Sequence, residues 1–395
     1  MTTKRGADPC AGRFRRHVML MIDPPIPQRF DGIMRFARGH GWRITLANRL
    51  VRAPRGWSGD GAIVTLRDDP AVARFAEGLR GRGVPVVDIT CHRPEMALPR
   101  AIPDYEGAGR MAAAHFREIG IRRCVWFSTE WSAVQAGFFR GLEEGMAGVS
   151  EPVSRIVLSK MVSRSRLDDA DRFAKAVGTR LVALRKPVGV LTYNDEDAAR
   201  ILSLCLDVGI AVPEECAILG IGNDAFVCEN QPVPLSSVND DLEGNGYAGA
   251  ELLERLMDGE AAPAAPVLVP CRGVVARRST DALLVENPVL REALSILAAD
   301  LARPPSMTQL SESVGVSRST LDRLFLRELG RPAHAELLRR RIVRAKDMLR
   351  DTTLAVSDIS AECGFCNPGY FAVAFARSEG VTPAKWRRAG HCRRG

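Results

Sequence analysis

Residues 307–330, MTQLSESVGVSRSTLDRLFLRELG, contain two short stretches of helical periodicity on either side of a glycine turn. The first predicted helix ends at Val314 and is followed by Gly315. Ser317 then supplies a hydroxyl that can cap a second helix beginning at Arg318. The order helix, glycine turn, helix predicts a helix-turn-helix unit.

The second helix of this unit has one apolar and one polar face. Leu321, Leu324 and Phe325 fall at the spacing i, i+3, i+4, which predicts that they face a small core. The side chains predicted to face outward, towards a DNA major groove, are Arg318, Ser319, Asp322 and Arg323. Arg323 suits a bidentate contact to guanine O6 and N7, and Asp322 suits either cytosine N4 or orientation of the arginine.

The same pattern recurs after a long basic helix predicted over residues 335–350. A helix over residues 356–363 is followed by the turn Gly-Phe-Cys-Asn and by a helix from Pro368 to about Ser378. Proline suits the first helical position, where its missing N–H costs nothing. The sequence thus predicts two helix-turn-helix units in one all-helical region.

Composition and charge limit the classes of protein to consider. The chain has 395 residues, 46% hydrophobic and 26% charged, so we expect a globular protein of two or three domains. No apolar run approaches the 18 residues of a membrane helix, and the basic start lacks the apolar region of a secretory signal. The ten cysteines show no regular framework, which favours reduced thiols. These features predict a cytoplasmic protein.

The positive charge lies at the two ends of the chain. Residues 286–395 carry 18 Lys and Arg against 12 Asp and Glu, residues 1–16 carry 5 against 1, and residues 17–285 carry 32 against 34. A nearly neutral central region followed by a basic C-terminal region indicates a globular core joined to a region that binds a polyanion.

Short apolar runs alternate with amphipathic segments from residue 17 to about 285, which predicts parallel sheets covered by helices on both faces. Ligands of such sheets lie beyond the carboxyl ends of the strands. The predicted strands are 17–22, 42–47, 61–66, 84–90, 124–128, 153–158, 188–193 and 216–221, and the predicted helices are 30–40, 71–80, 107–119, 136–146, 170–184 and 198–206. We interpret 261–270, rich in Ala and Pro, as a return strand or tether.

Three stretches of the C-terminal region resemble the two-unit DNA-binding domain of the AraC family. They read VSRSTLDRLFLRELGRP, RRRIVRAKDMLRDTTLAVSDISAECGF and NPGYFAVAFARSEGVTP, and the closing Lys385-Trp386-Arg387 extends the match. The resemblance implies two recognition helices in successive major grooves. The second helix departs from the usual polar pattern, since Gly369, Ala372 and Val373 occupy its groove-facing positions. We expect it to contribute backbone contacts through Asn367, Lys385 and Arg387, with a thymine-methyl contact by Val373.

Two further stretches, GVLTYNDEDAARILSLCLDVGIAVPEECAILGIGND and LSSVNDDLEGNGYAGAELLERLMDG, resemble the periplasmic-binding-protein fold used in LacI-type regulators. The order, sensor first and AraC-type domain last, is similar to the XylR type. The implied architecture is a basic tail (1–16), a two-lobed α/β ligand-sensing domain (17–285) and an all-α double helix-turn-helix domain (286–395). The implied partners are operator DNA, a small polar effector such as the monosaccharide xylose, and a second copy of the chain.

The resemblance also implies which residues contact the effector. Carried over position by position, they are Asp104, Trp131, Asn194, Asp195, Asn223, Asp224 and Asp240. Carboxylates, amides and an aromatic plane are the groups a sugar site needs, although a helix cap is an equally good reading of each acid or amide. Gly222 stands where sugar-binding relatives have an aspartate, and Val134 and Gln135 stand where an arginine is expected.

Two alternatives remain open at this point. One is a regulator with a degenerate sensor that responds to no ligand. The other is an oxidoreductase that uses Cys363 and Cys366, a CxxC pair, although no second pair accompanies it for a metal site. Nothing in the sequence resembles a nucleophile triad or a phosphate-binding loop, so we expect a regulator without catalytic residues, metal or cofactor.

Overall fold

The computed structural model describes residues 14–47, 56–67, 70–148, 151–158, 170–281 and 287–391. The chain divides into two compact units, an α/β unit (Met1–Phe116 with Arg122–Ala282) and a helical unit (Arg117–Ile121 with Leu283–Gly395). Within the described residues, no helix has both the length and the apolar composition to cross a membrane.

The α/β unit is built from twelve described strands and eight described helices, in the alternating order that the sequence indicates. The strands are β1 Arg16–Met21, β2 Trp42–Ala47, β3 Gly61–Val64, β4 Val86–Asp88, β5 Ala101–Pro103, β6 Cys124–Ser128, β7 Ser154–Val157, β8 Val188–Thr192, β9 Cys216–Ile221, β10 Ser236–Asn239, β11 Val267–Val269 and β12 Gly273–Val275. The helices are α1 Pro27–His40, α2 Pro70–Arg80, α3 Tyr105–Glu118, α4 Ala133–Met146, α5 Ala170–Ala183, α6 Asp195–Asp207, α7 Ala225–Glu229 and α8 Leu242–Met257.

The strands form two main sheets, each the centre of one lobe. The first lobe has the order β2-β1-β3-β4, with all strands parallel, and the second has β12-β10-β9-β8-β6-β7, where only β12 runs antiparallel to its neighbour. The short strands β5 and β11 pair in parallel with each other. Strands β3, β6 and β8 are buried along their whole length, as expected of parallel sheets covered on both faces.

Close contacts between helices complete each lobe. Helix α8 packs on α1 of the first lobe, where a Cβ on Gly32 would lie 1.9 Å from the carbonyl oxygen of Glu243. Helix α4 packs on α3 of the second lobe, where a Cβ on Gly109 would lie 2.1 Å from the carbonyl oxygen of Phe138. Because no side chain fits at either crossing, glycine lets both helix pairs approach closely. The chain therefore returns to the first lobe through α8 after most of the second lobe is complete.

The helical unit contains seven described helices. They are α9 Pro288–Ala299, α10 Met307–Ser313, α11 Arg318–Leu329, α12 Ala333–Asp351, α13 Val356–Glu362, α14 Pro368–Glu379 and α15 Pro383–His391. Phe371 and Phe375 of α14 pack with Ile342, Ala345 and Leu349 of α12 in one buried cluster. Leu321, Leu324 and Phe325 of α11 are buried as predicted.

The prediction of parallel α/β sheets followed by an all-helical region is confirmed, with local corrections. The sequence prediction lacks the strands β5, β10 and β12 and the helices α7 and α8. The three strands have three or four residues each, which is too short for a periodic signal. Helix α4 begins at Ala133 rather than at residue 136, since Ser132 caps it. The interpretation of residues 261–270 as a return strand corresponds to β11. Arg16, predicted to end the basic tail, begins β1, and residues 1–13 and the predicted boundary at 285/286 lie outside the described residues.

Candidate functional site

A cavity of about 300 Å³ lies between the two lobes of the α/β unit. Segments that directly follow β1, β3, β4, β8, β9 and β10 provide most of its wall, as the position of ligand sites in parallel sheets predicts. Its polar lining residues are Asp23, Gln28, Arg29, Thr65, Arg67, Thr90, His92, Tyr193, Asn194, Asp195, Glu196, Asp224 and Asp240, and apolar ones include Tyr105, Val134, Phe138 and Ile221. The volume is at the lower end of the range for small-ligand sites.

Asp240 presents a carboxylate to this cavity after the end of β10. The side chain is buried, and its Oδ1 atom has no hydrogen-bond partner within the described part of the chain. Burial raises the pKa of Asp240 to about 6, while the positive charge of Arg29 acts in the opposite direction. Arg29 is held in place because its Nε donates to Asn245 Oδ1 at 2.9 Å. A buried acceptor without a partner beside a cavity is the group expected where a ligand supplies the donor.

Asp195 forms another acidic part of the wall, but both of its oxygens are occupied. Ser237 Oγ donates to Oδ1 at 2.6 Å, and the backbone N–H of Asp224 donates to Oδ2 at 2.7 Å. A Cβ on Gly220 would lie 2.1 Å from Oδ1, so the glycine makes room for this carboxylate. Burial raises the pKa of Asp195 to about 7 despite the hydrogen bond from Ser237.

Four side chains form polar contacts between the two lobes beside the cavity. Arg67 Nη2 of the first lobe donates to the Tyr193 hydroxyl of the second at 3.2 Å, and the same hydroxyl lies 3.5 Å from His92 Nε2. His92 Nδ1 lies 3.3 Å from Ser132 Oγ. Burial lowers the pKa of Arg67, but the effects of Tyr193, Glu130 and Asp23 outweigh it and leave this pKa raised. The lobes are therefore joined by polar contacts beside the cavity.

An aromatic pair forms the apolar side of the cavity. The rings of Tyr105 and Phe138 meet edge to face with centroids 5.0 Å apart. Val134 lies beside them at the start of α4. Because the polar groups lie at the strand ends, the cavity has one apolar wall and one rich in donors and acceptors. This is the arrangement of sites for small polar molecules with apolar faces.

The structure brings together four of the seven predicted effector contacts. Asn194, Asp195, Asp224 and Asp240 line the cavity. Asn194 and Asp224 also cap helices, since Asn194 Oδ1 accepts from Asp197 N–H and Asp224 Oδ1 accepts from Phe226 N–H. Their roles as effector contacts stay predictions.

The other three predicted contacts lie outside the lining of this cavity. Asp104 Oδ1 accepts from Gly107 N–H at 2.8 Å, which makes it the cap of α3. Trp131 is half-buried and lies under the guanidinium of the exposed Arg155, which is 4.7 Å from the ring centroid. Asn223 accepts a hydrogen bond from Arg277. Their residue types suit a sugar site, but local folding engages each of them elsewhere.

The structure gives physical reasons for the positions at which this sequence differs from sugar-binding relatives. Gly222 lines the cavity with a φ of 118°, a backbone conformation that an aspartate rarely adopts. Val134 adds an apolar surface where an arginine was expected, and Gln135 is buried as part of the cap that begins α4. The basic groups of this cavity come instead from Arg29 and Arg67 of the first lobe.

Arg29, Arg67, His92 and Tyr193 are among the cavity residues that the sequence prediction missed. Arg67 directly follows the predicted strand 61–66, His92 lies two residues after the predicted strand 84–90, and Tyr193 ends the predicted strand 188–193. The rule that ligand groups lie at the carboxyl ends of strands could therefore have identified all three. Arg29 gives no such signal, because it lies within helix α1.

In the helical unit, α10 and α11 form the first predicted helix-turn-helix. Gly315 turns the chain with a φ of 68°, and Ser317 Oγ accepts from Thr320 N–H, which caps α11 as predicted. Ser319 and Arg323 are exposed on the side of α11 opposite its buried residues. Arg318 lies 3.9 Å from Asp322 in a contact between consecutive turns of the helix.

Helices α13 and α14 repeat this arrangement. Gly364 turns the chain with a φ of 79°, and Asn367 Oδ1 accepts from Gly369 N–H at 2.6 Å to cap α14. Val373 is 68% exposed and Tyr370 59%, so the outward face of α14 is largely apolar. The remaining predicted DNA contacts, Lys385 and Arg387, lie on α15, where Lys385 is exposed and Arg387 is half-buried. All the predicted DNA contacts of this second unit stay predictions.

The CxxC pair is part of the second turn. Cys363 is buried, with Sγ 3.8 Å from Met348 Sδ, whereas Cys366 is exposed. Cys363 packs in the same cluster as Phe371 and Phe375. A core role therefore accounts for Cys363 without a redox centre.

Comparison with known proteins agrees with both units. Residues 113–280 match a periplasmic binding protein-like domain and residues 310–389 match a helix-turn-helix domain. The chain is 28% identical over 346 residues to the xylose operon regulatory protein of Escherichia coli K12, covering 84% of this chain and 85% of that protein. The solved structure of the xylose-binding transcription activator xylR shares 25% identity and a TM-score of 0.60 over 95% of this chain and 98% of that one.

The chain is a DNA-binding transcription regulator that is similar to regulators of the XylR type. The chain is also 33% identical over 99 residues to the transcriptional activator RhaR of Escherichia coli, and this alignment covers 25% of this chain and 35% of that protein. The relatives are transcription regulators, and the expectation that this chain is a DNA-binding regulator rather than an enzyme is confirmed.

Proposed function

We propose that the cavity of this XylR-type regulator binds a neutral monosaccharide, and that the bound sugar changes how the helical unit engages its operator. The observation that carries the proposal is Asp240 Oδ1, a buried acceptor without a described partner at the edge of a cavity of about 300 Å³. A sugar hydroxyl is a donor of the size and polarity that this group lacks. The names of the relatives make xylose the first sugar to test.

The rest of the lining fits the same ligand class. Arg29 and Arg67 offer donors for hydroxyl oxygens, and Asn194 offers an amide. The rings of Tyr105 and Phe138 line the cavity and provide an apolar surface for the carbon face of a sugar. Because both oxygens of Asp195 are occupied, we assign the main accepting role to Asp240.

A thermal-shift panel of pentoses and hexoses, followed by calorimetry, tests this proposal. We expect at least one sugar to raise the melting temperature of the wild-type protein. Asp240→Ala should weaken its binding about 10- to 100-fold, the range for a lost hydrogen bond between a sugar and a charged group. Asp207→Ala, an exposed aspartate on α6, is the control and should bind as wild type. If no sugar in the panel changes the melting temperature of the wild-type protein, the α/β unit does not respond to these sugars and the proposal is wrong.

We further propose that α11 carries most of the base recognition. Arg323 is exposed on its outward face, with Ser319 one turn away, and a bidentate arginine–guanine contact discriminates against other bases by about 1–3 kcal/mol. Arg323→Ala should therefore cost that amount on the selected operator and much less on random DNA. Fluorescence anisotropy on both DNAs measures the two losses. Equal losses would mean that Arg323 contacts only the DNA backbone.

Two broader features belong to the same proposal. A regulator whose target is the chromosome acts in the cytoplasm, and two copies of the chain would engage two operator half-sites. Sedimentation of the full chain with and without operator DNA tests the second feature. A single copy per operator at saturating protein would exclude the homodimer.

A further inference from the structure

The segment through which the chain leaves the α/β unit is fixed to the second sheet by buried hydrogen bonds. Residues 276–281, here called the exit segment, follow β12 and contain a short 3-10 turn, Arg278–Thr280. Ser279 Oγ donates to the Ile218 carbonyl of β9 at 2.6 Å, and Thr280 Oγ1 lies 2.7 Å from Ser236 Oγ of β10. The helical unit is next described from Asn287 onwards. The position of the exit segment is therefore set by β9 and β10, whose carboxyl ends border the cavity.

Arg277 is the central residue of this attachment. Its side chain is 5% exposed, and its guanidinium donates from Nη1 to the Leu235 carbonyl at 2.8 Å and from Nη2 to Asn223 Oδ1 at 2.9 Å. A carboxylate oxygen of Glu229, at the end of α7, lies 3.7 Å from the same guanidinium. A buried guanidinium with directional bonds holds its partners in a fixed geometry.

Asn223 continues the contact from Arg277 to the cavity wall. Its backbone N–H donates to Ser237 Oγ at 3.0 Å, and Ser237 Oγ donates to Asp195 Oδ1 at 2.6 Å. Asp195 lines the cavity, as do both chain neighbours of Asn223. Asn223 has a φ of 52°, in the left-handed region that asparagine tolerates better than most residues. A continuous line of hydrogen bonds thus runs from the cavity wall to the exit segment.

This line contains a group with two alternative partners. The Ser237 hydroxyl has one proton, which it gives to Asp195, and the Val238 carbonyl lies 3.5 Å away as a second acceptor. A ligand held mainly by Asp240 that also places a second hydroxyl against Asp195 Oδ1 would compete with Ser237 for that oxygen. The serine proton would then turn towards Val238, and the hydrogen bond that Ser237 accepts from Asn223 would be rearranged. Coupling between sites requires a two-state element of this kind.

We propose that Asn223 and Arg277 are positioning residues that transmit the state of the cavity to the exit segment, and through it to the DNA-binding unit. The inference rests on the proposed function, because it assumes that a ligand occupies the cavity. It also reassigns Asn223 from an effector contact to a coupling residue. The coupling is expected in both directions, so DNA binding alters effector affinity by the same factor that the effector alters DNA affinity.

Asn223→Gly is the most direct test, because glycine accepts the positive φ and removes only the side-chain acceptor of Arg277. Asn223→Asp is the conservative variant, since a carboxylate keeps an acceptor for the guanidinium. Arg277→Lys keeps the charge but cannot hold both partners at once. Arg278→Lys, at the exposed neighbouring arginine, is the matched control. Melting temperatures identify any variant that is not folded.

Operator affinity is measured by fluorescence anisotropy on the full chain, without sugar and with saturating D-xylose, and D-xylose affinity is measured by calorimetry. In the wild type we expect a ratio between the two operator affinities of roughly 5- to 150-fold. Asn223→Gly and Arg277→Lys should reduce this ratio to near one and change the sugar-free operator affinity, while the D-xylose Kd stays within about twofold. Asn223→Asp and Arg278→Lys should behave as wild type.

Two outcomes distinguish failure of this inference from failure of the proposed function. If the wild type does not bind D-xylose, that proposed ligand is wrong, and the sugar-free operator affinities alone decide the inference. If Asn223→Gly and Arg277→Lys keep both the wild-type ratio and the wild-type sugar-free affinity, neither residue transmits the signal.

Discussion

Asp240 is a buried carboxylate beside the cavity, and the effect of its protonation on stability can be measured without knowing the ligand. The pKa of Asp240 is raised by burial to about 6, whereas an unperturbed aspartate titrates near pH 3.9. The folded protein therefore holds this proton more tightly than the unfolded chain. Its contribution to the free energy of unfolding is present below about pH 4 and is lost as the pH rises through about 6.

Asp240→Asn should remove this pH dependence. The difference between the two pKa values corresponds to about 2.5 kcal/mol between pH 4 and pH 7.5, because an unfolded aspartate is already about half ionised at pH 4. Denaturant unfolding of both proteins at the two pH values, followed by tryptophan fluorescence, measures the change in unfolding free energy with pH. Between the two pH values, we expect the unfolding free energy of the wild type to fall more than that of Asp240→Asn, by about the amount calculated from the pKa difference. Equal declines in the two proteins would mean that Asp240 is solvated in the folded state.

For single residues, the sequence predicted correctly which types of side chain line the cavity, but it predicted less completely which positions they occupy. Aspartate and asparagine after strands were recognised as candidates, and four of them line the cavity. The sequence could not distinguish Asp104, which caps a helix, from the candidates that line the cavity. A helix cap and a ligand contact use the same residue types at the same strand ends. Arg29 comes from a helix of the other lobe, and only the three-dimensional fold brings it to Asp240.

Among the elements, helix α12 holds a buried cluster of charges that its apolar periodicity does not reveal. Glu336 is fully buried, and its carboxylate accepts from the guanidinium groups of Arg331, Arg339 and Arg340 at 2.7–3.1 Å. Arg340 Nη1 also donates to the Leu294 carbonyl of α9 at 3.1 Å. Burial raises the pKa of Glu336, but the three arginines outweigh it and hold this pKa below its ordinary value. The cluster therefore attaches α9 to α12.

Glu336→Gln should destabilise the helical unit. Removing one partner of a buried ion pair leaves uncompensated charge and costs about 3–5 kcal/mol, with the lower figure expected here because the arginines are partly exposed. Since the pKa of Glu336 is lowered, its contribution to stability is present at neutral pH and is lost as the pH falls below about 4.5. The variant should therefore differ most from wild type at pH 7. Glu362→Gln, on the exposed face of α13, is the control, and a loss of similar size there would contradict the argument.

The elements themselves were largely predictable, because long amphipathic helices and fully apolar strands have strong periodic signals. The start of α4 was misplaced by three residues, since the cap formed by Ser132 and Gln135 lies before the apolar pattern begins. Strand β5 has no pattern of its own and forms because β11 pairs with it. Short strands that depend on distant partners are the part of a fold that local sequence does not specify.

For the whole molecule, the two helix-turn-helix units have the same backbone design and different outward surfaces. Both turn at a glycine of positive φ and cap the second helix with a polar side chain, Ser317 in one and Asn367 in the other. The outward face of α11 carries Arg323, whereas that of α14 carries Val373. Since hydrogen bonds to base edges provide most sequence discrimination, the two units should contribute unequally to recognition.

Selection of bound sequences from random DNA should therefore return operators with one sharply defined block and one weakly defined block, about one helical turn apart. Val373→Arg gives the second helix a side chain that can read guanine, so the weak block should gain a preferred base. The matched variant Val373→Ala should leave both blocks as in the wild type, apart from any preference for thymine that depends on the valine methyl groups. The wild type could instead select two equally sharp blocks, or its sharper block could be the one that changes with substitutions in α14. Either result would show that the apolar face of α14 reads bases as effectively as Arg323 does.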